Sequence, residues 1–290
     1  MDSISRADKG PLQGPEEGGS LRIGIIGCGF IGTTIAGAVD QKDEIESIHL
    51  IDLDFENAVE LSSKLSKGIA HPMDDLGSFM EASDLIVEAA SQDAVSQIVP
   101  EVLQNGKDVM IMSVGALVDD ELWRSLKETA KKNGCRIFIP SGAVSGIDGI
   151  FSGSKADIDC ITLTVRKPPV GLSLPSSMSH LAGDMKSLKE PLLLFEGSAR
   201  EAVKMFPKNV NVAATIALAG VGFDRTHVKI IADPGAQRNH QRIEARGRFG
   251  EMDMQMLNQP STTNPRTSYL APLSAIAVIE QLLSGIHIGN

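Results

Sequence analysis

The first residues whose spacing predicts chemistry are the glycines of the run Gly27-Cys28-Gly29-Phe30-Ile31-Gly32. They follow the apolar run Leu21–Ile26 and open a stretch with helical periodicity. In a strand, turn and helix unit, the first glycine permits a tight turn, the second lets the backbone approach a pyrophosphate, and the third lets helix and strand pack closely. We therefore predict a dinucleotide site at Gly27, Gly29, Phe30, Ile31 and Gly32. The alternative is a glycine-rich turn without a ligand.

Asp52 is the acidic residue expected to bind the ribose of such a dinucleotide. It lies about 20 residues beyond Gly32, where a carboxylate accepts hydrogen bonds from the ribose hydroxyls. The next residue is Leu53 rather than an arginine or lysine that would bind a 2′-phosphate. The pattern predicts NAD, with NADP left open because Lys42 or Lys64 could fold towards the site. The alternative is that Asp52 only forms a turn.

Two runs of small residues follow later apolar strands, namely Glu88-Ala89-Ala90-Ser91 and Ser113-Val114-Gly115-Ala116-Leu117. Ligands bind at the carboxyl ends of the strands in open parallel sheets, and small side chains there leave room for a flat ring. The alternative is that both runs are only tight turns between strands and helices.

The elements that must position these residues alternate short apolar runs with longer amphipathic ones. This pattern predicts an α/β fold, a Rossmann-type parallel sheet with helices on both faces. Asp119–Lys132 has one apolar helical face, with Asp119 as its cap and Asn133-Gly134 as its end. We predict strands at Leu21–Ile26, Ile48–Ile51, Leu85–Ala89, Val109–Met112 and Arg136–Ile139.

A second, α+β domain is predicted from about Ile150, where apolar and polar residues begin to alternate as in half-buried antiparallel strands. Further strands are predicted over 226–233, 237–247 and 251–257, and helices over 198–206, 209–219 and 269–284. We expect a disordered tail over 1–20, a dinucleotide-binding domain over 21–145 and a substrate and dimerisation domain over 146–268. The C-terminal helix, 269–290, is expected to return to the first domain.

Composition limits the class of protein. The 290 residues carry a formal net charge of −10, so no overall basic field exists to hold nucleic acid or an acidic membrane surface. The 3 cysteines lie far apart without a Cys-x-x-Cys pair, which argues against disulfides and structural zinc. The first 20 residues lack the apolar run of a secretion signal, and no later stretch reaches bilayer length. We expect a cytoplasmic protein without a bound metal, a membrane or a nucleic-acid partner.

Taken together, these stretches resemble the L-aspartate dehydrogenase family over nearly the whole chain after residue 20. The resemblance rests on the glycine run, on Glu88-Ala89-Ala90-Ser91 and on longer runs that are not generic to dinucleotide enzymes. These are Ile139–Ala143, Arg166–Pro169, Phe206–Thr215 and Asn264–Ser268. The resemblance implies NAD-dependent oxidative deamination of L-aspartate through iminoaspartate, or the reverse amination of oxaloacetate. It also implies a homodimer and a supply of iminoaspartate to NAD biosynthesis.

The resemblance also implies cofactor contacts near the nicotinamide at Ala143 and Asn211, although Asn211 alone would be read as a helix cap. A dicarboxylate substrate needs cations for two carboxylates. Arg166 and Lys167, beside Pro168-Pro169, are the nearest source, with Arg238 and Arg242 as others. Surface solvation is the alternative for each of them.

Histidine suits the proton transfer that accompanies hydride transfer near neutral pH. Of the 6 histidines, His240 lies in the stretch that matches the family's catalytic segment. The family pattern is Asn, any residue, then His, whereas this chain has Asn239-His240-Gln241, so strict register puts Gln241 in the catalytic place. On a regular strand the two side chains face opposite sides, and a bulge would be needed to bring His240 into the site. We predict His240 as the catalytic residue because it is the proton carrier of this stretch.

Two other functions stay open on the sequence. One is a related two-domain reductase that acts on another amino or keto acid. The other is a NAD-binding sensor or scaffold that has lost the proton-transfer group, which the displaced histidine makes a serious alternative.

Overall fold

The computed structural model describes residues 20–181, 185, 187–207, 211–261 and 267–289. The predicted tail therefore lies outside the described residues except for Ser20. The chain forms two compact units, one comprising the residues up to Pro140 with Pro272–Ile288, and the other Ser141–Ala271 with Gly289–Asn290. The divisions fall at Pro140 and Ala271, a few residues from the 145 and 268 expected from the sequence.

The first unit holds a six-stranded parallel sheet in the order β3-β2-β1-β4-β5-β6. Its central strands are largely buried, as expected for a parallel sheet covered on both faces, whereas β3 and β6 at its edges are partly exposed. The strands are β1 (Leu21–Ile26), β2 (Ile45–Ile51), β3 (Gly68–His71), β4 (Leu85–Glu88), β5 (Asp108–Ile111) and β6 (Ile137–Phe138). The helices are α1 (Phe30–Val39), α2 (Phe55–Ser62), α3 (Leu76–Glu81), α4 (Gln92–Gln104) and α5 (Asp120–Asn133).

Local sequence signals explain several of these boundaries. Asp119 accepts hydrogen bonds from the backbone of Glu121 and Leu122 at the start of α5, and Gly134 ends the helix with a φ of +65°. The strand β3 was not predicted because its four residues, Gly-Ile-Ala-His, form no apolar run.

The core of the first unit contains residues of its first strands and of the C-terminal helix. Ile23, Ile25 and Leu50 of the sheet belong to one buried cluster with Ala275 and Ile279. The last two lie on the C-terminal helix α9 (Leu270–Ser284).

The second unit holds a five-stranded mixed sheet in the order β11-β10-β7-β9-β8. The β7 and β9 strands are parallel, a pairing that alternation alone does not reveal, and the other pairs are antiparallel. The strands are β7 (Ile158–Lys167), β8 (Leu192–Ser198), β9 (Thr226–Ala232), β10 (Asn239–Gly247) and β11 (Gly250–Asn258). The helices are α6 (Ile147–Gly153), α7 (Ala199–Met205) and α8 (Asn211–Ala219). We had not predicted β8 and α6.

One face of this second sheet, which we name the covered face, is buried. Along β7 it carries Ile161, Leu163 and Val165, and along β10 it carries Ile243 and Ala245, all of them 0% exposed. The opposite face, which we name the open face, carries the residues between them, which are partly exposed. The alternation fixes which side chains share a surface.

The described residues include no helix that is long and apolar enough to span a bilayer. They also contain no group of three or more His, Cys, Asp or Glu side chains arranged to bind a metal ion.

Candidate functional site

The glycine run forms the turn between β1 and α1, and each glycine has a different reason to lack a side chain. Gly27 has a φ of +96°, and a Cβ there would lie 2.8 Å from the carbonyl oxygen of Ala89. A Cβ on Gly32 would overlap the carbonyl oxygen of Gly27. Gly29, the N-cap of α1, has no heavy atom within 4 Å of the place a Cβ would take. Packing therefore requires Gly27 and Gly32, while Gly29 leaves the open approach to a helix N-terminus that a pyrophosphate needs.

Asp52 lies beside this turn, and its carboxylate is held in place by backbone and side-chain donors. The Cys28 N–H donates to Oδ2 at 2.7 Å, while the Asp54 N–H and the Asn57 amide donate to Oδ1 at 3.0 and 3.3 Å. Leu53 is 92% exposed and offers no charge to a 2′-phosphate. An acidic acceptor fixed against the glycine turn fits ribose hydroxyls.

The two lysines that could have served a 2′-phosphate are engaged elsewhere. Lys42 forms an ion pair with Glu280, and Lys64 forms one with Glu60 in the next turn of the same helical segment. This arrangement favours NAD over NADP.

The two small-residue runs after β4 and β5 are connected by one carboxyl group. Glu88, which is 0% exposed, accepts hydrogen bonds from the Ala90 N–H, the Ser113 N–H and the Ser113 hydroxyl. Burial raises the pKa of Glu88, and these hydrogen bonds act in the opposite direction. The loops at the carboxyl edge of the sheet are therefore held together by a side chain, not only by tight turns.

In the second unit, four polar residues lie at one end of the covered face. Gln241 is paired with Val165 and Met256, and Asn239 is paired with Asn258. Lys167 is two residues beyond Val165 on the same face. The exposed fractions are 4% for Lys167, 1% for Asn239, 2% for Gln241 and 8% for Asn258. We name these four residues the polar cluster.

Hydrogen bonds orient three members of the polar cluster. The Asn258 amide donates to the carbonyl oxygen of Ala143 at 2.6 Å and to Oε1 of Gln241 at 2.8 Å. The Asn239 amide donates to the Ser268 hydroxyl at 3.2 Å. The Oδ1 atom of Asn239 is buried and accepts no hydrogen bond from any described residue. A buried acceptor of this kind is costly unless a ligand donates to it.

Of the four cations considered for a substrate carboxylate, Lys167 is the buried one. Burial lowers the pKa of Lys167 to about 8. Arg166 points to the open face and pairs with Asp233 at 3.0 Å, Arg242 pairs with Asp253 at 2.7 Å, and Arg238 is exposed. The tertiary structure thus distinguishes cations that sequence alone left equivalent.

His240 lies on the open face, opposite to Gln241. It pairs with Arg166 on β7 and Leu257 on β11, and the register of β10 is continuous from Asn239 to Arg246. The bulge that would turn His240 towards the covered face is therefore absent. Its Nε2 atom is nevertheless buried without a hydrogen-bond partner among the described residues.

The remaining residues implied by the resemblance occupy separate places. Ala143 is 8% exposed and accepts the bond from Asn258. Asn211 is the first residue of α8, and its carbonyl oxygen accepts from the Thr215 hydroxyl at 3.4 Å. Residues 208–210 and 264–266 of the matching runs lie outside the described part of the chain.

Sequence reasoning missed Asn258 and the carboxyl of Glu88. A signal existed for both. Asn258 follows Met252, Met254 and Met256 at the two-residue spacing of a strand, so its side chain falls on the same, covered face. Glu88 is the lone charged residue of a buried four-residue strand and lies at its end.

Comparisons with known proteins identify the family and the fold. Residues 148–282 match the family model described as the C-terminal domain of aspartate dehydrogenase, and residues 27–140 match the NAD-binding domain of homoserine dehydrogenase. The L-aspartate dehydrogenases of Methanosarcina barkeri and Methanosarcina mazei are 47% and 48% identical, each over 93% of this chain and 100% of the relative. The crystal structure of aspartate dehydrogenase from Thermotoga maritima is 28% identical, with a TM-score of 0.71, and covers 93% of this chain and 99% of that chain.

Proposed function

Since the chain belongs to the L-aspartate dehydrogenase family, we propose how its residues carry out that family's reaction. The chain is an amino-acid dehydrogenase that uses NAD to oxidise L-aspartate. Bound NAD would supply the acceptor for the hydride that leaves C2 of the substrate. L-Aspartate also loses a proton and becomes iminoaspartate, which water converts to oxaloacetate and ammonia. The residues of the protein must bind, orient and deprotonate the substrate.

The first unit provides the proposed cofactor contacts. The N-terminus of α1, with Gly29, Phe30, Ile31 and Gly32, binds the pyrophosphate through backbone N–H groups. Gly27 provides the tight turn before it, because its own N–H donates to the carbonyl oxygen of Ile51. Asp52 accepts from the ribose hydroxyls and repels a 2′-phosphate. Ala143 and Asn211 remain proposed contacts near the nicotinamide, supported by the family resemblance alone.

The polar cluster of the second unit is the proposed substrate site. The ammonium of Lys167 binds a substrate carboxylate, and the buried Oδ1 of Asn239 accepts from the substrate amino group. Gln241 keeps its NH₂ group as a donor because its Oε1 already accepts from Asn258. The observation that carries this proposal is the buried cation next to an unsatisfied buried acceptor on one face of the sheet.

The catalytic role of His240 remains a proposal with a specific requirement. Because β10 is regular, His240 can act only on a substrate that lies on the open face, and its buried Nε2 would have to become accessible to that substrate. The polar cluster favours the covered face, where Gln241 takes the place of the family's histidine. An amide cannot accept a proton near neutral pH, so this arrangement predicts low turnover.

The proposal is tested by following NADH consumption with oxaloacetate and ammonia, beside pyruvate and 2-oxoglutarate with ammonia. We expect oxaloacetate to be far the best substrate, because a monocarboxylate lacks the second carboxylate and loses the charge-assisted hydrogen bond that this group would make. Comparable rates with pyruvate would point to the related reductase. NADH binding without turnover of any of the three would point to the sensor or scaffold.

Three broader expectations complete the proposal. We propose a homodimer, supported by the family resemblance; on the second sheet, the edge strand β11 carries Leu257, which is 60% exposed. Sedimentation equilibrium should give twice the chain mass of 30.8 kDa, and Leu257→Glu should weaken the association. We also propose a cytoplasmic location and a role in supplying iminoaspartate to NAD biosynthesis, which deletion of the gene in a nicotinate-free medium would test.

A further inference from the structure

Glu88 holds together the two loops that follow β4 and β5. Its Oε1 accepts from the Ala90 N–H at 2.8 Å and from the Ser113 hydroxyl at 2.9 Å, and its Oε2 accepts from the Ser113 N–H at 2.9 Å. The backbone of Ser91 also contributes a hydrogen bond. A single side chain at the end of one strand therefore fixes the start of both loops.

These partners favour the ionised form of Glu88, against the burial that raises the pKa of the carboxyl. Backbone N–H groups only donate, so a protonated carboxyl would have to turn its own O–H against them. Glu88 is 0% exposed, and none of its described partners is a lysine or an arginine. When it is ionised, Glu88 is therefore a buried negative charge that no described side chain neutralises.

The topology places this charge on one particular side of the cofactor site. The strand order reverses between β1 and β4, and in such sheets a dinucleotide binds across the reversal at the carboxyl ends of the strands. Asp52, at the end of β2, marks the adenosine side. The nicotinamide half therefore belongs to the side of β4 and β5, whose loops Glu88 holds.

We propose that the carboxylate of Glu88 sets the relative affinity of this enzyme for the two redox states of its cofactor. Oxidised nicotinamide carries a positive charge that hydride transfer removes. A buried negative charge on that side stabilises bound NAD⁺ more than bound NADH, and it favours release of NADH after aspartate is oxidised. Glu88 acts through the electric field of its carboxylate and through the loops after β4 and β5 that it holds. It is therefore a positioning residue and not a catalytic one. The inference rests on the proposed cofactor site.

Glu88→Gln tests the charge, and Ser113→Ala is its matched control. Both variants remove part of the same hydrogen-bond set, but Ser113→Ala keeps the carboxylate. The dissociation constants of NAD⁺ and NADH are measured by calorimetry on the purified full-length chain. We expect the ratio Kd(NADH)/Kd(NAD⁺) to fall about tenfold in Glu88→Gln, the effect of one unit charge about 12 Å from the nicotinamide at an effective dielectric of about 20. In Ser113→Ala it should stay within about twofold, because the charge is retained.

A pH series on the unmodified protein keeps the inference testable if Glu88→Gln does not fold. Because burial raises the pKa of Glu88, the ratio should rise with pH as the carboxyl ionises. A ratio that stays constant from about pH 8 down to about pH 4, below the ordinary pKa of a glutamate, or equal weakening of both redox states in Glu88→Gln, would overturn the inference and leave Glu88 a structural residue. Failure of the unmodified chain to bind either redox state would overturn the proposed cofactor site, and this inference with it.

Discussion

The side-chain amide of Asn258 donates a hydrogen bond to Oε1 of Gln241 at 2.8 Å. The same amide group also donates to the carbonyl oxygen of Ala143 at 2.6 Å, so both of its protons are used inside the second unit. Gln241 is thereby fixed with its oxygen towards Asn258 and its NH₂ group as a remaining donor. A glutamine held in this way can orient a substrate, but it cannot exchange a proton with it.

The first prediction concerns the exchange of roles between His240 and Gln241. Gln241→His restores a proton carrier on the covered face, and we expect turnover to rise by about 10²-fold or more, within the range of general acid–base groups. His240→Ala should change turnover by less than about threefold, because the regular register of β10 points His240 to the open face. Steady-state kinetics with L-aspartate and NAD measure both.

The opposite pair of results would assign proton transfer to the open face. A loss of about 10²-fold or more in His240→Ala, with NADH binding intact and no gain in Gln241→His, would restore the catalytic role of His240. NADH affinity is the control for folding in both variants.

The second prediction concerns Lys167 and pH. Burial lowers the pKa of Lys167 to about 8, so the free enzyme loses this cation as the pH rises through that value. We expect kcat/KM for L-aspartate to fall above about pH 8, since kcat/KM reports groups of the free enzyme. Lys167→Met should raise KM for aspartate at pH 7 by about tenfold or more, the usual loss for a charged hydrogen bond.

Lys167→Arg is the matched control, because arginine keeps its charge at all pH values of interest. Its kcat/KM profile should stay level to a higher pH than that of the unmodified chain. If Lys167→Met binds aspartate as well as before, another cation holds the carboxylate.

The third prediction concerns cofactor choice. Asp52→Ala should weaken the binding of NADH by about tenfold, because the charged acceptor for the ribose hydroxyls is lost. The binding of NADPH should weaken less, because the repulsion between Asp52 and the 2′-phosphate is lost as well. Fluorescence titration of both cofactors gives the comparison. Asp54→Ala is the control, since Asp54 caps α2 by accepting from Glu56 and does not contact the glycine turn. An unmodified chain that already prefers NADPH would remove the role given to Asp52.

The fourth prediction concerns acid stability and the paired histidines of the first unit. His49 Nδ1 lies 2.9 Å from Nε2 of His71, and its own Nε2 lies 2.9 Å from the Ser47 hydroxyl. Burial, helped by the charges of His71 and Arg22, lowers the pKa of His49 from 6.5 to about 4. Between these values the unfolded chain binds more protons, so the free energy of unfolding should rise as pH increases from 4 to 6.5.

The contribution of His49 amounts to about 3 kcal/mol at most. Urea unfolding of the unmodified chain and of His49→Gln at a series of pH values measures it. The slope in this window should be smaller in His49→Gln and unchanged in His287→Gln, whose histidine is exposed. Equal slopes in all three proteins would show that His49 titrates normally.

The extent to which sequence predicted the fold depended on the strength of the local signal. Leu21–Ile26 was predicted to the residue, because an apolar strand before a glycine turn is unambiguous, and Asp119 and Gly134 gave the ends of α5. The parallel pairing of β7 with β9 was missed, because a one-sided strand looks the same whatever the direction of its neighbour. The strand β3 carried no apolar pattern at all.

The sequence by itself determined the features whose geometry is local: the glycine turn, the carboxylate that follows it at Asp52, and the family to which the whole chain belongs. Only the tertiary structure decided which cation is buried and which of His240 and Gln241 shares the covered face with Asn239. It also decided that Asn258 donates a hydrogen bond to Ala143, 115 residues away. The reason is physical. A glycine turn is specified within a few residues, whereas strand register and burial arise from segments that meet only when the chain folds, and a shift of one residue moves every side chain to the other face.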